Sequence, residues 1–237
     1  MRQHDSPHAR LALQLGGGAL LLIVAAGVFG AIAEDVVTGD RLTALDAEFA
    51  QWLHRRAEPA VTRWVLLATN LHSTVAVSCY AALAAAYCLY KRAWRTLALL
   101  GACVAGGLAL NVLMKLAFHR ARPVLDEPLL TLASYSFPSG HVVGSTILYG
   151  LAVAWVFGRT RHLGLRMAAI ALALLAIVGV AFTRMYLGVH YLSDVVAAFA
   201  EGIAWLAICL SGFAAFWRQT GGPPMRPAPG PVAAPLA

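Results

Sequence analysis

An all-α fold of six membrane-spanning helices follows from three features of the sequence. The chain of 237 residues is 60% hydrophobic and only 12% charged, with a mean hydropathy of +0.71, outside the range of soluble domains. Six apolar runs are each long enough to cross about 30 Å of hydrocarbon as a helix. Basic and acidic residues segregate to opposite sides of those runs, so the net charge of +7 reflects orientation in a bilayer and not an affinity for nucleic acid.

The first run, Leu11–Ala33, contains Ala31-Ile32-Ala33, which resembles a signal-peptidase site. Its apolar stretch is longer than the usual secretory one, so an uncleaved anchor is expected. Leu42, Leu45, Phe49, Trp52 and Leu53 then recur at helical spacing with charges between them. They predict a short amphipathic helix on the outer leaflet, serving as a cap in preference to a substrate-binding element. The remaining spans are Trp64–Tyr90, Thr96–Leu116, Pro138–Gly158, Met167–Tyr186 and Tyr191–Phe216. Gly101, Ala105, Gly106 and Gly107 allow close helix packing. Cys79, Cys88, Cys103 and Cys209 have neither disulfide nor zinc spacing and read as small core hydrophobes. From Arg218 the chain is rich in Pro, Gly and Ala with little to bury. Residues 1–217 are therefore expected to form the transmembrane domain, and 218–237 a disordered cytoplasmic tail.

With the N-terminus inside, the cytoplasmic segments hold 10 of the 18 basic residues against Asp5 alone, while the outer segments hold 9 of the 11 acids. The positive-inside rule then puts both termini in the cytoplasm. The same alternation brings the ends of helices three and five and the starts of helices four and six to the outer face. Lys115 closes helix three, with Arg122-Pro123 in the loop beyond; Pro138-Ser139-Gly140-His141 opens helix four; Arg184 closes helix five; His190 and Asp194 open helix six.

These residue types suit phosphate chemistry. Pro138 fits the first turn of a helix, and Ser139 and Gly140 leave free N–H groups where the helix dipole favours an anion. Lys115, Arg122 and Arg184 supply three positive charges for a phosphate and its transition state, Ser139 a hydroxyl donor, and Gly140 close backbone approach. His190 and Asp194 share a helix face at i,i+4, so the carboxylate can hold one ring N–H and leave the other nitrogen to attack phosphorus. His141 is placed to protonate the leaving oxygen and then activate water. Fixed cations take the place of a metal, so neither metal nor cofactor is expected.

Three blocks carry a family likeness: Lys115 with Arg122-Pro123, Pro138-Ser139-Gly140-His141, and Thr183-Arg184 with His190 and Asp194. Together, over residues 115–194, they resemble the type 2 phosphatidic acid phosphatase superfamily. Tyr135-Ser136-Phe137 and Tyr186-Leu187-Gly188-Val189 look like its bacterial membrane lipid-phosphatase branch. The resemblance implies a histidine nucleophile, a metal-independent mechanism and a lipid phosphate or diphosphate substrate. Two positions depart from the family pattern. Thr183 stands where Ser is usual, keeping a hydroxyl, and Leu192 stands where many members have Pro.

Outside those blocks, His119 and Arg120 read either as headgroup-binding groups or as surface charge. Asn111, one turn before Lys115, is expected to support it. Glu201 lies on the face of Asp194 roughly 10 Å deeper, as a functional ionisable group or a hydrogen-bonded structural one. The sequence thus predicts a multi-pass phosphatase of a bacterial plasma membrane with its site on the periplasmic or extracellular face. Its substrate enters from the outer leaflet: undecaprenyl diphosphate, phosphatidylglycerol phosphate or phosphatidic acid. No obligatory protein partner is evident. A phosphotransferase with the same intermediate, or a non-catalytic anionic-lipid transporter or scaffold, are the alternatives.

Overall fold

The structure, a computed structural model, describes residues 7–219 as eight α-helices, with no strand among the described residues. They are α1 (Pro7–Thr38), α2 (Arg41–His54), α3 (Pro59–Asn70), α4 (Thr74–Tyr90), α5 (Trp94–Phe118), α6 (Gly140–Arg159), α7 (Leu163–Tyr186) and α8 (Leu192–Gln219). α8 runs two residues past the expected end of the transmembrane domain, and the tail expected beyond it lies outside the described residues. Six stretches are long and apolar enough to cross a membrane: Leu11–Thr38, Pro59–Tyr90, Trp94–Phe118, Gly140–Arg159, Leu163–Tyr186 and Leu192–Trp217. They coincide with the six expected spans, and most bounds shift by only a few residues.

The second span differs inside. It is two helices, α3 and α4, interrupted at Leu71, His72 and Ser73. Ser73 caps α4, its side chain accepting from the Ala76 N–H at 3.2 Å. The groups freed by the break are covered by side chains. Tyr80 donates to the Leu71 carbonyl at 3.1 Å, and His72 Nδ1 to the Ala68 carbonyl at 3.0 Å. His72 Nε2 in turn meets the Tyr149 hydroxyl at 2.6 Å. Irregular backbone survives at membrane depth only when such groups are satisfied within the protein.

α8 is the most buried span and α1 the least. α1 packs along α8, and α6 lies against α5, α7 and α8. Cys103, Val142, Val143, Ile147, Val180, Ala198 and Leu206 fill the space between them. Because lipid tails are as apolar as these side chains, close fit holds the bundle more than exclusion of water does. A methyl on Gly106 would lie 2.4 Å from the Trp205 ring, and one on Gly107 2.2 Å from Ile147 Cδ1. Both glycines therefore do what the sequence suggests, whereas Gly101 has nothing within 4 Å and contributes no such contact. Cys88, Cys103 and Cys209 are buried, but Cys79 is exposed and is no core residue. Leu20, Ile23, Leu83, Leu172 and Leu175 face outward, as lipid-facing residues do.

α2 forms where expected and packs on α1, α7 and α8. Its inner face is Asp46, Ala50 and Leu53, while Leu45 and Trp52 are exposed. At the same end of the bundle, Leu53 and Val65 pack on Tyr186, Leu187 and Val189. Phe137 there is buried with Ala33 and Ala197 beside Phe29 and Phe118. The polar site occupies this end.

Candidate active site

Lys115 lies in the last turn of α5, which ends at His119 in a left-handed conformation (φ 47°) with its ring edge-on to Tyr135 at 4.5 Å. The chain then loops across the bundle to α6. Lys115 Nζ donates to the carbonyls of Tyr135 (2.6 Å) and Ser136 (3.3 Å). Arg122 grips the same loop, with Nε on the Ser134 carbonyl at 2.7 Å and NH2 on Ser134 Oγ and the Tyr135 carbonyl. Its NH1 donates to the Val189 carbonyl at 2.5 Å and lies 3.4 Å from His190 Nε2. Four of the five guanidinium N–H groups are thereby engaged, which leaves one facing His190.

The tetrapeptide differs from expectation in detail. Pro138 follows a cis peptide bond and precedes the helix, which opens at Gly140 with Ser139 as an extended cap residue. The Ser139 N–H is not free, since it donates to the Asp194 carbonyl at 3.2 Å and so ties the starts of α6 and α8 together. Ser139 Oγ is buried with no partner. Gly140 sits so close to Asn111 that a methyl would lie 3.1 Å from Asn111 Oδ1. Asn111 itself donates to Glu201 Oε2 at 3.2 Å and the Pro138 carbonyl at 3.4 Å, so it supports the turn and not Lys115. Glu201 accepts from Asn111 through Oε2, as the hydrogen-bonded structural alternative expects, while its Oε1 is buried without a partner. His141 is half-buried, within electrostatic reach of Arg184, His190 and Arg122.

Arg184 is 1% exposed. Its NH1 donates to Thr69 Oγ1 at 2.7 Å, while its Nε is buried without a partner. Thr183 directs its hydroxyl back to the Val180 carbonyl at 2.7 Å, as β-hydroxyl residues do inside helices. The hydroxyl is retained at this position but is engaged in its own helix and not in the site.

Between α7 and α8 the chain turns through Gly188 at φ +67°, delivering His190 with only 2% exposure. His190 Nδ1 lies 3.3 Å from Asp194 Oδ2. Asp194, fully buried, also accepts from the Tyr191 N–H at 2.9 Å, from Ser136 Oγ and from Arg120 NH1 at 2.5 Å. Its reach back to the Tyr191 N–H closes the first turn of α8, where an anion suits the dipole. Leu192 is the first residue of that helix, the slot in which proline is tolerated. Burial drives the His190 imidazole from 6.5 down to about 4; Asp194 opposes the shift, and Arg122 and Arg184 reinforce it. His190 is therefore neutral near pH 7. The Asp194 acceptor keeps a proton on Nδ1, and the Arg122 donor faces the lone pair on Nε2.

Lys115, Arg122, Ser139, Gly140, His141, Arg184, His190 and Asp194 thus all come to one end of the bundle. Arg120 is neither a headgroup-binding group nor surface charge. It bridges Asp46 Oδ2 (2.8 Å) and Asp194 Oδ1 (2.5 Å). Ser136 sits in the Tyr135-Ser136-Phe137 stretch that carries the family likeness, and Asp46, Thr69 and Ser193 are the polar neighbours that motif spacing does not reveal. Asp46 alone left a signal, for Leu42, Asp46, Phe49 and Leu53 fall at i, i+4, i+7 and i+11, an acid within an apolar stripe. Among the described residues, no three His, Cys, Asp or Glu side chains converge as a metal site.

Six apolar spans around one buried, cation-rich polar site define a polytopic helical membrane protein. The chain belongs to the PAP2 superfamily, whose family model matches residues 96–218, just over half its length. It is 31% identical over 126 residues to phosphatidylglycerophosphatase B of Bacillus subtilis (strain 168), a match covering 52% of this chain and 60% of the relative. The matched part is thus about three-fifths of that protein. Its fold is similar to the crystal structure of a transmembrane PAP2-type phosphatidylglycerolphosphate phosphatase from Bacillus subtilis. The TM-score is 0.69 at 22% identity, over 85% of this chain and 96% of that one.

Proposed function

We propose that the protein is a metal-independent membrane lipid phosphatase that works through a phosphohistidine. The observation that carries this reading is a neutral, buried His190 held between Asp194 and Arg122, beside two buried donors, Ser139 Oγ and Arg184 Nε, that lack partners. Unsatisfied donors in a low-dielectric interior are costly, and a tetrahedral oxyanion arriving there would satisfy both.

In the first step His190 Nε2 bonds to phosphorus as the lipid O–P bond breaks, and His141 passes a proton to the departing oxygen. In the second, water attacks the phosphohistidine, its proton goes to His141, and the N–P bond breaks to release phosphate. Lys115, Arg122 and Arg184 offset the negative charge that builds on the equatorial oxygens. Asp194 holds the Nδ1 proton and stabilises the imidazole as it gains positive charge.

The substrate favoured by the relatives is phosphatidylglycerol phosphate, with phosphatidic acid and undecaprenyl diphosphate as the next candidates. The distribution of basic residues supports cytoplasmic termini and a site at the outer face of a bacterial inner membrane, reached sideways by lipid. The test is phosphate release from each lipid by purified protein in detergent. Turnover that survives chelators, is inhibited by vanadate and is lost in His190→Ala supports the reading. A requirement for added magnesium, or transfer of phosphate to a hydroxyl acceptor with none released, would overturn it.

A further inference from the structure

We propose that Asp46, on the amphipathic helix α2, is a positioning residue of the active site, acting through Arg120 and Ser193 on Asp194 and hence on His190. The inference rests on the phosphatase reading above. Asp46 is 2% exposed, and a buried carboxylate is retained only where donors meet it. Its Oδ1 accepts from the Ser193 N–H at 3.0 Å, one of the N–H groups that the first turn of α8 cannot satisfy internally. Its Oδ2 accepts from Ser193 Oγ and from Arg120 NH2 at 2.8 Å. Arg120 NH1 reaches Ser193 Oγ at 2.7 Å and Asp194 Oδ1 at 2.5 Å, and its guanidinium lies over the Tyr191 ring, 4.4 Å from the centroid. One planar fork thus locks two carboxylates from different helices around the start of α8.

The charge arrangement gives this link a consequence beyond fastening α2. Arg120 divides its positive charge between Asp46 and Asp194, so Asp194 still presents net negative charge to the His190 N–H. Without the Asp46 charge, Arg120 would neutralise Asp194 and weaken its hold on an imidazole that becomes cationic when phosphorylated. The other charged or titratable groups facing His190 are Arg122 from the loop, Arg184 from α7 and His141 from α6, while Lys115 from α5 faces Asp194; none of them shares a hydrogen bond with Asp46.

The test uses the full chain in detergent and compares wild type with Asp46→Asn, Asp46→Glu and Arg120→Gln. Asp46→Asn is expected to lower kcat about tenfold to a hundredfold, as loss of an outer carboxylate does elsewhere, with KM nearly unchanged; Asp46→Glu should restore part of the loss. The ¹⁵N titration of the His190 ring should move to lower pH in Asp46→Asn and to higher pH in Arg120→Gln, opposite signs that a merely structural clamp would not give. Folded Asp46→Asn protein with wild-type kcat and an unmoved titration overturns the proposal. If Asp46→Asn does not fold, Arg120→Gln decides alone, and an unmoved or lowered midpoint there is equally fatal. Should wild type hydrolyse no lipid phosphate, the phosphatase reading fails, and the two titration shifts still decide whether Asp46 governs His190.

Discussion

Replacing Thr69 by valine removes one hydroxyl from the far side of the site and leaves the side-chain shape nearly intact. That hydroxyl receives Arg184 NH1 at 2.7 Å, and Arg184 is 1% exposed with its Nε already unpartnered. A hydrogen bond from a charged group in such a place is worth about 1.5–3 kcal/mol. If the guanidinium stays put in the variant, that cost falls on folding, and thermal unfolding in detergent moves down by several degrees. If it swings away to find another acceptor, the loss appears as weaker anion binding, and at about 1.4 kcal/mol per factor of ten vanadate inhibition weakens roughly tenfold to a hundredfold. The two readouts share one sum, so a small change in one requires a large change in the other. Phosphate-release kinetics with vanadate, read beside the unfolding curve, measure both. A variant matching wild type in unfolding temperature and vanadate sensitivity would show that Thr69 does not hold Arg184 in place.

Asp194→Asn leaves the backbone tie to Ser139 intact but removes the charge that meets His190 Nδ1 and Arg120; kcat should fall by about 10³–10⁴, as for other carboxylates that fix a catalytic imidazole, and phosphate-release assays will read it. The free enzyme should keep its activity down to about pH 4 as far as His190 is concerned, since the ring is depressed from 6.5. The sign for stability agrees: the unfolded chain takes up the proton first, so the His190 contribution is complete above 6.5 and is lost as pH falls toward 4. A kcat/KM limb near 6.5 that persists after allowance for ionisation of the substrate would contradict this. Gly188→Ala places a side chain at φ +67° and 2.3 Å from Leu125 Cδ1; a loss of about 1–3 kcal/mol is expected, measured by unfolding and accompanied by reduced turnover because His190 follows two residues later. Glu201→Gln keeps an acceptor for Asn111, so activity should stay within about threefold of wild type while stability holds or rises; loss of turnover would return Glu201 to the functional alternative.

Much of this site could be read in the chain because its chemistry lies at helix ends. Apolar runs mark the spans, alternation of sides marks which ends meet, and Lys115, Ser139, Arg184 and His190 stand out as polar groups at those ends. What stayed hidden are partners whose meaning lies only in three dimensions. Thr69 resembles any helical threonine until Arg184 is seen beside it, and Ser193 is one more serine in a helix's first turn until Asp46 and Arg120 are seen around it. Arg120 looks like loop charge because nothing in its neighbourhood of sequence hints at Asp46, which is 74 positions away. The break between α3 and α4 was obscured because Val65, Leu66 and Leu67 before it and Val75, Ala76 and Val77 after it keep the local hydropathy high. The Ser139 N–H and Asn111 depart from expectation for a common reason: spacing along one helix carries no record of contacts that run between helices, here to Asp194 and Glu201 on α8.

The mounting of α2 and α3 bears on how this molecule can be dissected. Asp46 and Thr69 both precede residue 96, where the family match begins, yet each grips an arginine on the other side of that boundary. A fragment trimmed to the recognisable stretch would keep the signature residues but leave Arg184 in a greasy interior without its Thr69 acceptor, and Arg120 with only one of its two carboxylates. Such a piece should insert badly or clump, so the minimal working unit has to begin upstream of α2. For the same reason, grafting the signature blocks of another member into this scaffold should succeed only when its leading helices travel with them.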